Sequence, residues 1–184
     1  MKSKKYTKVL LIFIFISLFL KIDYRFIEEV GCCGDDHDYY MHAETIAIDR
    51  DLDYENQFED IEKVRFLFNG KKAPKGFIGS GLLAAPFLFL GDSFDQILKS
   101  SLEEEYKPIF NFKILFYSFS AIFYLFLSIY FTSKTLSILN YRHNFYHLLL
   151  FYFGSGVTYY AFERYSMSHI YETFSVSFIL YLSA

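Results

Sequence analysis

An all-α, polytopic transmembrane fold with an external loop of amphipathic interfacial helices is what this sequence predicts, and three observations carry it. Apolar residues make up 53% and aromatic residues 22% of the 184 positions, with 24 Phe, 17 Tyr and no Trp. They gather in blocks, several of which approach the roughly 20 residues needed to cross a hydrocarbon core about 30 Å thick. The charges separate by region: residues 23–109 hold 19 acidic and 9 basic residues, so the net charge of −3 conceals the pattern that matters.

The chain opens with Lys2, Lys4, Lys5 and Lys8, and residues 9–20 are then apolar apart from Ser17. A basic start and a short apolar core also describe a cleaved signal peptide, but Lys21, Asp23 and Arg25 stand where a small-x-small site is needed. An uncleaved first helix over residues 6–26 is expected instead, with the lysines holding the N-terminus in the cytoplasm. Residues 1–22 are thus a cytoplasmic N-terminus and first transmembrane helix. The only cysteines, Cys32 and Cys33, are neighbours and cannot staple distant segments. Glu29 stands where a lipoprotein site before Cys32 would want a large apolar residue, which argues against lipidation.

Residues 23–109 form the acidic loop, which the positive-inside tendency puts outside the cytoplasm. Within it, Tyr40, Ala43 and Ala47 recur at helical spacing with the charges mostly on the other face, predicting an amphipathic helix over residues 36–48. Residues 49–57 read as a loop. Residues 76–91 are apolar but interrupted by glycines and Pro86. At 1.5 Å per residue they reach only about 24 Å, so an interfacial or re-entrant helix is expected there.

The third unit, residues 110–184, holds transmembrane helices 2 to 4. Residues 110–132 make a clear span, and residues 133–144 carry Lys134 and Arg142 with no acid, as a cytoplasmic loop should. Residues 145–162 return outward, residues 163–168 turn externally, and residues 170–184 begin a further span. That last span lacks a basic cytoplasmic stop, so the expectation is an N-terminal fragment or a truncated gene product.

Chemistry concentrates in Gly34-Asp35-Asp36-His37-Asp38-Tyr39-Tyr40-Met41-His42-Ala43. Acids at a helix start are ordinarily explained by the helix dipole and its free N–H groups. A sharper reading makes Asp35 or Asp36 a general base, or makes Asp36 and Asp38 ligands of Mg²⁺ or Mn²⁺, which prefer oxygen donors. His37 and His42 have no zinc spacing. His169 and Glu172 lie three apart and share a helix face, where a polar substrate could meet them. Gly154-Ser155-Gly156 is expected to permit close helix packing.

That acidic segment, with Asp51-Leu52-Asp53-Tyr54-Glu55-Asn56 beyond it, resembles the first external loop of GT-C-type membrane glycosyltransferases. These are the polyprenyl-phosphate-sugar enzymes related to protein mannosyltransferases and aminoarabinose transferases. In that family an Asp after the first span opens an amphipathic helix with Tyr four residues on, as Asp35 and Tyr39 do here. Gly76-Phe77-Ile78-Gly79-Ser80-Gly81-Leu82-Leu83-Ala84-Ala85-Pro86-Phe87 resembles the family's second interfacial helix, and Ser168-His169-Ile170-Tyr171-Glu172 the polar opening of its fourth span. Where some relatives carry Pro-His, this chain has His37-Asp38, so the resemblance leaves open which of Asp35, Asp36 and Asp38 takes the catalytic position, with Asp35 and Asp36 as the candidates chosen.

The resemblance implies an integral, multi-pass protein of a bacterial inner or plasma membrane. It implies transfer of a sugar from a polyprenyl-phosphate donor to a lipid, glycan or protein acceptor outside the cytoplasm, with inversion. An Asp would serve as general base, and Tyr39, His169 and Glu172 would bind substrate. Lys71, Lys72, Lys75 and Arg164 are external cations that could face the departing phosphate, although each also suits an interfacial anchor. Two other classes were weighed. A transporter should carry ionisable groups near mid-membrane, and residues 114–131 and 148–162 contain no Asp, Glu, Lys, Arg or His. The alternative is a non-catalytic membrane protein whose acidic loop binds cations or a partner. No nucleic-acid partner is expected.

Overall fold

The first described helix, α1 (Gly34–Glu44), begins in the acidic segment, with Asp35 and Asp36 in its first turn, where the exposed N–H groups favour negative charge. The computed structural model describes residues 8, 9, 12, 13, 16, 34–58, 66–68, 70–101 and 111–184. The predicted first span thus falls largely outside the described residues, as do Cys32 and Cys33. Of that span, Lys8, Val9, Ile12, Phe13 and Ile16 are helical. The Phe13 ring sits 5.6 Å from that of Phe153 and 6.2 Å from that of Phe126.

After α1 the chain loosens into one π-helical turn, Thr45–Asp49, closed by Arg50 in the left-handed region at φ 62°. A short 3₁₀ turn, Asn56–Phe58, and a two-stranded antiparallel hairpin follow. The hairpin pairs β1 (Phe66–Phe68) with β2 (Lys71–Ala73), Phe66 lying opposite Ala73. Gly70, at φ 80°, makes the turn that an L side chain would strain.

Five more helices follow: α2 (Ile78–Ser101), α3 (Phe112–Ile138), α4 (Phe145–Phe153), α5 (Gly156–Phe162) and α6 (His169–Ser183). Among the described residues, α2 and α3 are the two helices long and apolar enough to cross a membrane. The 16-residue estimate for α2 was too short because Asp92, Gln96 and Lys99 continue the helix in a polar last third. With 24 residues, α2 extends about 36 Å.

How α2 lies against α3 follows from ring contacts. Phe94 stacks on Phe116 at 5.5 Å, Phe87 meets Phe123 at 5.2 Å, and the Tyr124 hydroxyl donates to the Leu83 carbonyl at 3.0 Å. The two helices are antiparallel, and these contacts fall in the first half of α3. The polar end of α2 projects toward the N-terminus of α3, where Asp95 accepts from the backbone N–H groups of Phe112 and Lys113 at 3.1 and 2.9 Å. Pro86 has no N–H to offer the preceding turn, and the Tyr124 bond supplies a donor to a carbonyl in that turn.

Close approach fixes α2 against both α1 and α3. A side chain at Gly81 would collide with His42 and the backbone of Ala43, and one at Gly91 would strike the Phe112 carbonyl. The core is formed where these elements meet: Ala43, Ala84, Leu88, Tyr117, Ala121, Leu125, Ile170 and Tyr171 are all buried.

The α6 helix runs parallel to α3. Tyr171 reaches Ser120 and Tyr124, Phe174 lies between Tyr124 and Phe131, and the Phe178 ring meets that of Phe131 at 4.9 Å. The starts of α3 and α6, the end of α5 and the whole of α1 therefore share one end of the bundle. Lys134, Arg142 and His143 lie at the other, where Ser133 and His143 bond at 3.0 Å.

Residues 145–162 do not form one unbroken helix. The chain breaks at Gly154 and Ser155, and the Ser155 and Thr158 hydroxyls donate to the freed Tyr152 carbonyl at 2.7 and 2.9 Å. The packing role expected of Gly154-Ser155-Gly156 is not what is found: space around Gly156 is open, and Gly154 faces its own helix at Leu150.

Candidate functional site

The acidic start of α1 does not stand alone; residues 163–168 close over it. Asp36 is buried at 1% exposure and its Oδ2 accepts from the Arg164 guanidinium at 2.9 Å. The Asp36 backbone carbonyl accepts from the Ser166 hydroxyl at 2.6 Å. That hydroxyl has spent its proton, so in its 2.8 Å contact with Tyr117 the tyrosine is the donor. One chain of polar contacts thus joins α1, the turn before α6, and the buried first half of α3, across 128 residues of sequence.

A second connection runs beside it. Tyr40 and Lys113 both donate to Glu44 Oε1 at 3.0 Å, and the Tyr40 ring meets the Tyr117 ring edge-on at 5.1 Å. Burial first, and the Glu44 charge second, push the Tyr40 hydroxyl well above its ordinary value, so it remains a donor.

On the other flank of α1, His42 is 5% exposed and uses both ring nitrogens. Nε2 lies 2.8 Å from the Gly76 carbonyl, which can only accept, so Nε2 carries the proton. Nδ1 is then the acceptor for the Tyr54 hydroxyl at 2.8 Å. Burial lowers the His42 value from 6.5, outweighing the opposing influences of the Gly76 carbonyl and Asp38. A histidine held neutral by the fold stabilises it above its unfolded value and loses that contribution as pH falls below about 6.5. The midpoint of thermal unfolding should therefore drop between pH 7.5 and pH 5.5 more steeply in the native protein than in His42→Gln. Parallel pH profiles for the two would show that His42 is not held neutral.

Asp35 is exposed at the first turn of α1, beside the buried pair. Asp38 is 3% exposed, and the Tyr39 ring packs against Gly76, where any side chain would displace it. His169 and Glu172 line an open groove of about 640 Å³ between α5 and α6, floored by Val157, Val176 and Leu180. There the Tyr160 ring meets His169 at 4.2 Å, and Ser168 donates to Glu172 at 2.5 Å. The turn of residues 163–168 links the two places in sequence: Arg164 and Ser166 reach Asp36, and His169 follows at once. No described contact joins Asp35 or Asp36 directly to His169 or Glu172.

Among the described residues no three His, Cys, Asp or Glu side chains converge, and one Asp36 oxygen is already bound by a guanidinium. Of the four cations offered for a departing phosphate, Arg164 is engaged with Asp36 and Lys72 pairs with Glu55 at 3.4 Å. Sequence reasoning missed the Arg164–Asp36 pair, the Ser166–Tyr117 link and the His42 bridge, because each depends on contacts between distant segments. A partial signal existed: Arg164 stands in a short turn between apolar spans, at the same predicted end as the acids.

Compared with protein-family models, characterised proteins and solved structures, the chain finds no match.

Proposed function

We propose that this chain belongs to a membrane glycosyltransferase that moves a sugar from a polyprenyl-phosphate donor to an acceptor outside the cytoplasm, with Asp35 as general base. The observation that carries the reading is the division of labour between adjacent carboxylates. Asp36 is buried against Arg164, whereas Asp35 is exposed at the same helix start. A base must reach the proton it removes, and of the two carboxylates Asp35 is the one exposed at the surface.

In the step, an acceptor hydroxyl or amine attacks the anomeric carbon from the face opposite the phosphate. The new bond to carbon forms as the carbon–oxygen bond to phosphate breaks, and the pair in that bond leaves with polyprenyl phosphate. Asp35 takes the acceptor proton, and the configuration inverts. The Asp36–Arg164 pair positions the helix and does not touch the reacting atoms. No step is routed through a divalent cation.

The reading carries a membrane placement with it. The first span, α3, the α4–α5 pair and α6 would cross a bacterial inner or plasma membrane, with the N-terminus cytoplasmic. In this reading α2, although long and apolar enough to cross, lies at the outer interface, with its polar end at the start of α3. The reading of the acidic loop as a cation or partner site has less support: Asp36, Asp49, Asp51 and Asp53 accept hydrogen bonds from Arg164, Asn56, Thr45 and the backbone of Glu55 respectively.

Membranes containing the protein, offered a panel of polyprenyl-phosphate sugars labelled in the sugar, should transfer label where protein-free membranes do not. Unchanged donors across the panel, with the protein inserted and folded, would remove the proposal.

A further inference from the structure

Arg50 is a cation of the acidic loop that sits over an aromatic ring rather than against a carboxylate. It stands among Asp49, Asp51 and Asp53, yet each of those carboxylates is turned elsewhere. Asp49 accepts from Asn56 and Gln57, Asp51 from Thr45 and the backbone of Asp53, and Asp53 from the backbone of Glu55. Among the described residues no carboxylate pairs with the Arg50 guanidinium. That group instead lies over the Phe89 ring, 5.9 Å from its centroid. Its backbone holds a left-handed conformation rarely adopted by a residue other than Gly or Asn, fixed by an N–H bond to the Thr45 carbonyl.

Beneath the guanidinium runs a shallow groove of about 330 Å³ between the π-helical turn and α2. Ile46 and Ala47 form one wall, and Leu82, Pro86 and Phe89 the other. The α2 residues recur at helical spacing on one face, and Leu82 and Phe89 are 59% and 43% exposed. An apolar trough with a single unpaired cation at its lip has the charge pattern of an amphiphile bearing a negative head.

We propose that Arg50 and this face of α2 form a binding site for an anionic phospholipid of the bilayer, the guanidinium taking the phosphate and the groove the upper part of an acyl chain. Guanidinium suits a phosphodiester because its N–H groups can pair with two oxygens at once. An interfacial helix supplies the depth: α2 lies where headgroups end and chains begin. The inference rests on the membrane half of the proposed function and is independent of the catalytic half.

The chain has no Trp, so Leu82→Trp installs a single fluorophore in the groove while leaving Arg50 and Phe89 in place. The protein is reconstituted in phosphatidylcholine vesicles in which a minor fraction of lipid is brominated on its chains. Bromine on phosphatidylglycerol should quench the tryptophan as though that lipid were enriched about fivefold locally over brominated phosphatidylcholine, the size expected of one arginine at an anionic surface. Adding Arg50→Gln should bring the two lipids level, and Arg50→Lys should retain part of the preference. Equal quenching in the native background, or a preference that survives Arg50→Gln, overturns the site. A preference erased by inorganic phosphate at matched ionic strength also overturns it, since the ligand would then be free phosphate. No quenching by either lipid overturns both the site and the interfacial placement of α2, leaving the catalytic proposal to its own test.

Discussion

Asp35→Asn should lower sugar transfer by about 10² to 10⁴, the usual contribution of a positioned general base, while membrane insertion and thermal stability stay as in the native protein. The amide keeps the size of the carboxylate and can still face a helix N-terminus, but it cannot take a proton. Asp35 is exposed, and its replacement leaves the buried Asp36–Arg164 pair in place. The comparison with Asp36→Asn separates chemistry from scaffolding. That variant weakens the Arg164 pair, so its activity should fall together with its stability, and low temperature should restore part of the activity. Full activity in Asp35→Asn would shift the base to another residue. Full activity in both variants would leave the acidic turn without a catalytic part.

Arg164→Met should destabilise the protein by about 3 kcal/mol, the low end of the cost of breaking a buried ion pair. The low end applies because the Arg164 side chain keeps 22% of its exposure while that of Asp36 keeps 2%, so water compensates one partner only in part. The physical cost is the desolvated Asp36 carboxylate, which loses a charge-assisted hydrogen bond where solvent cannot replace it. The double variant Asp36→Asn with Arg164→Met removes that charge and should recover much of the loss. Denaturant or thermal unfolding in detergent reads both. A change below about 1 kcal/mol would mean that the pair behaves as a surface salt bridge, and the turn of residues 163–168 would not be held to α1 in the way described.

How far the sequence could be read depended on whether a feature was local. The presence of helix α1, the long apolar α3 and the basic turn between α3 and α4 follow from periodicity and charge within a single window; the exposed charged face expected of α1 does not, because Asp36, Asp38 and His42 are buried. The length of α2 was misjudged because an apolar-run criterion stops at Gly91, whereas the helix is continued by backbone bonds through polar residues as far as Ser101. The break at Gly154 and Ser155 was taken for a packing motif, because small residues serve either purpose and only the surrounding space decides. At the site, Asp35, Asp36, Tyr39, His169 and Glu172 could be picked out by residue type and position. What each one touches could not. Nothing in the local sequence ties Arg164 to Asp36 or Ser166 to Tyr117, since those pairs form only when α1 is folded against the first half of α3. The burial of Asp36 beside an exposed Asp35 is likewise a product of packing, and it distinguishes two neighbours that composition leaves equal.

The central claim is that the acidic turn of α1 and the hairpin after it stand on the side of the membrane opposite the turn between α3 and α4. Single cysteines at Lys71→Cys and Tyr141→Cys, both exposed positions, test it in a background with Cys32 and Cys33 replaced by Ser. In right-side-out vesicles a membrane-impermeant maleimide should modify the cysteine at position 71 at once, and the one at position 141 only after the membrane is opened. Labelling of both from one side, or in the reverse order, would contradict the account.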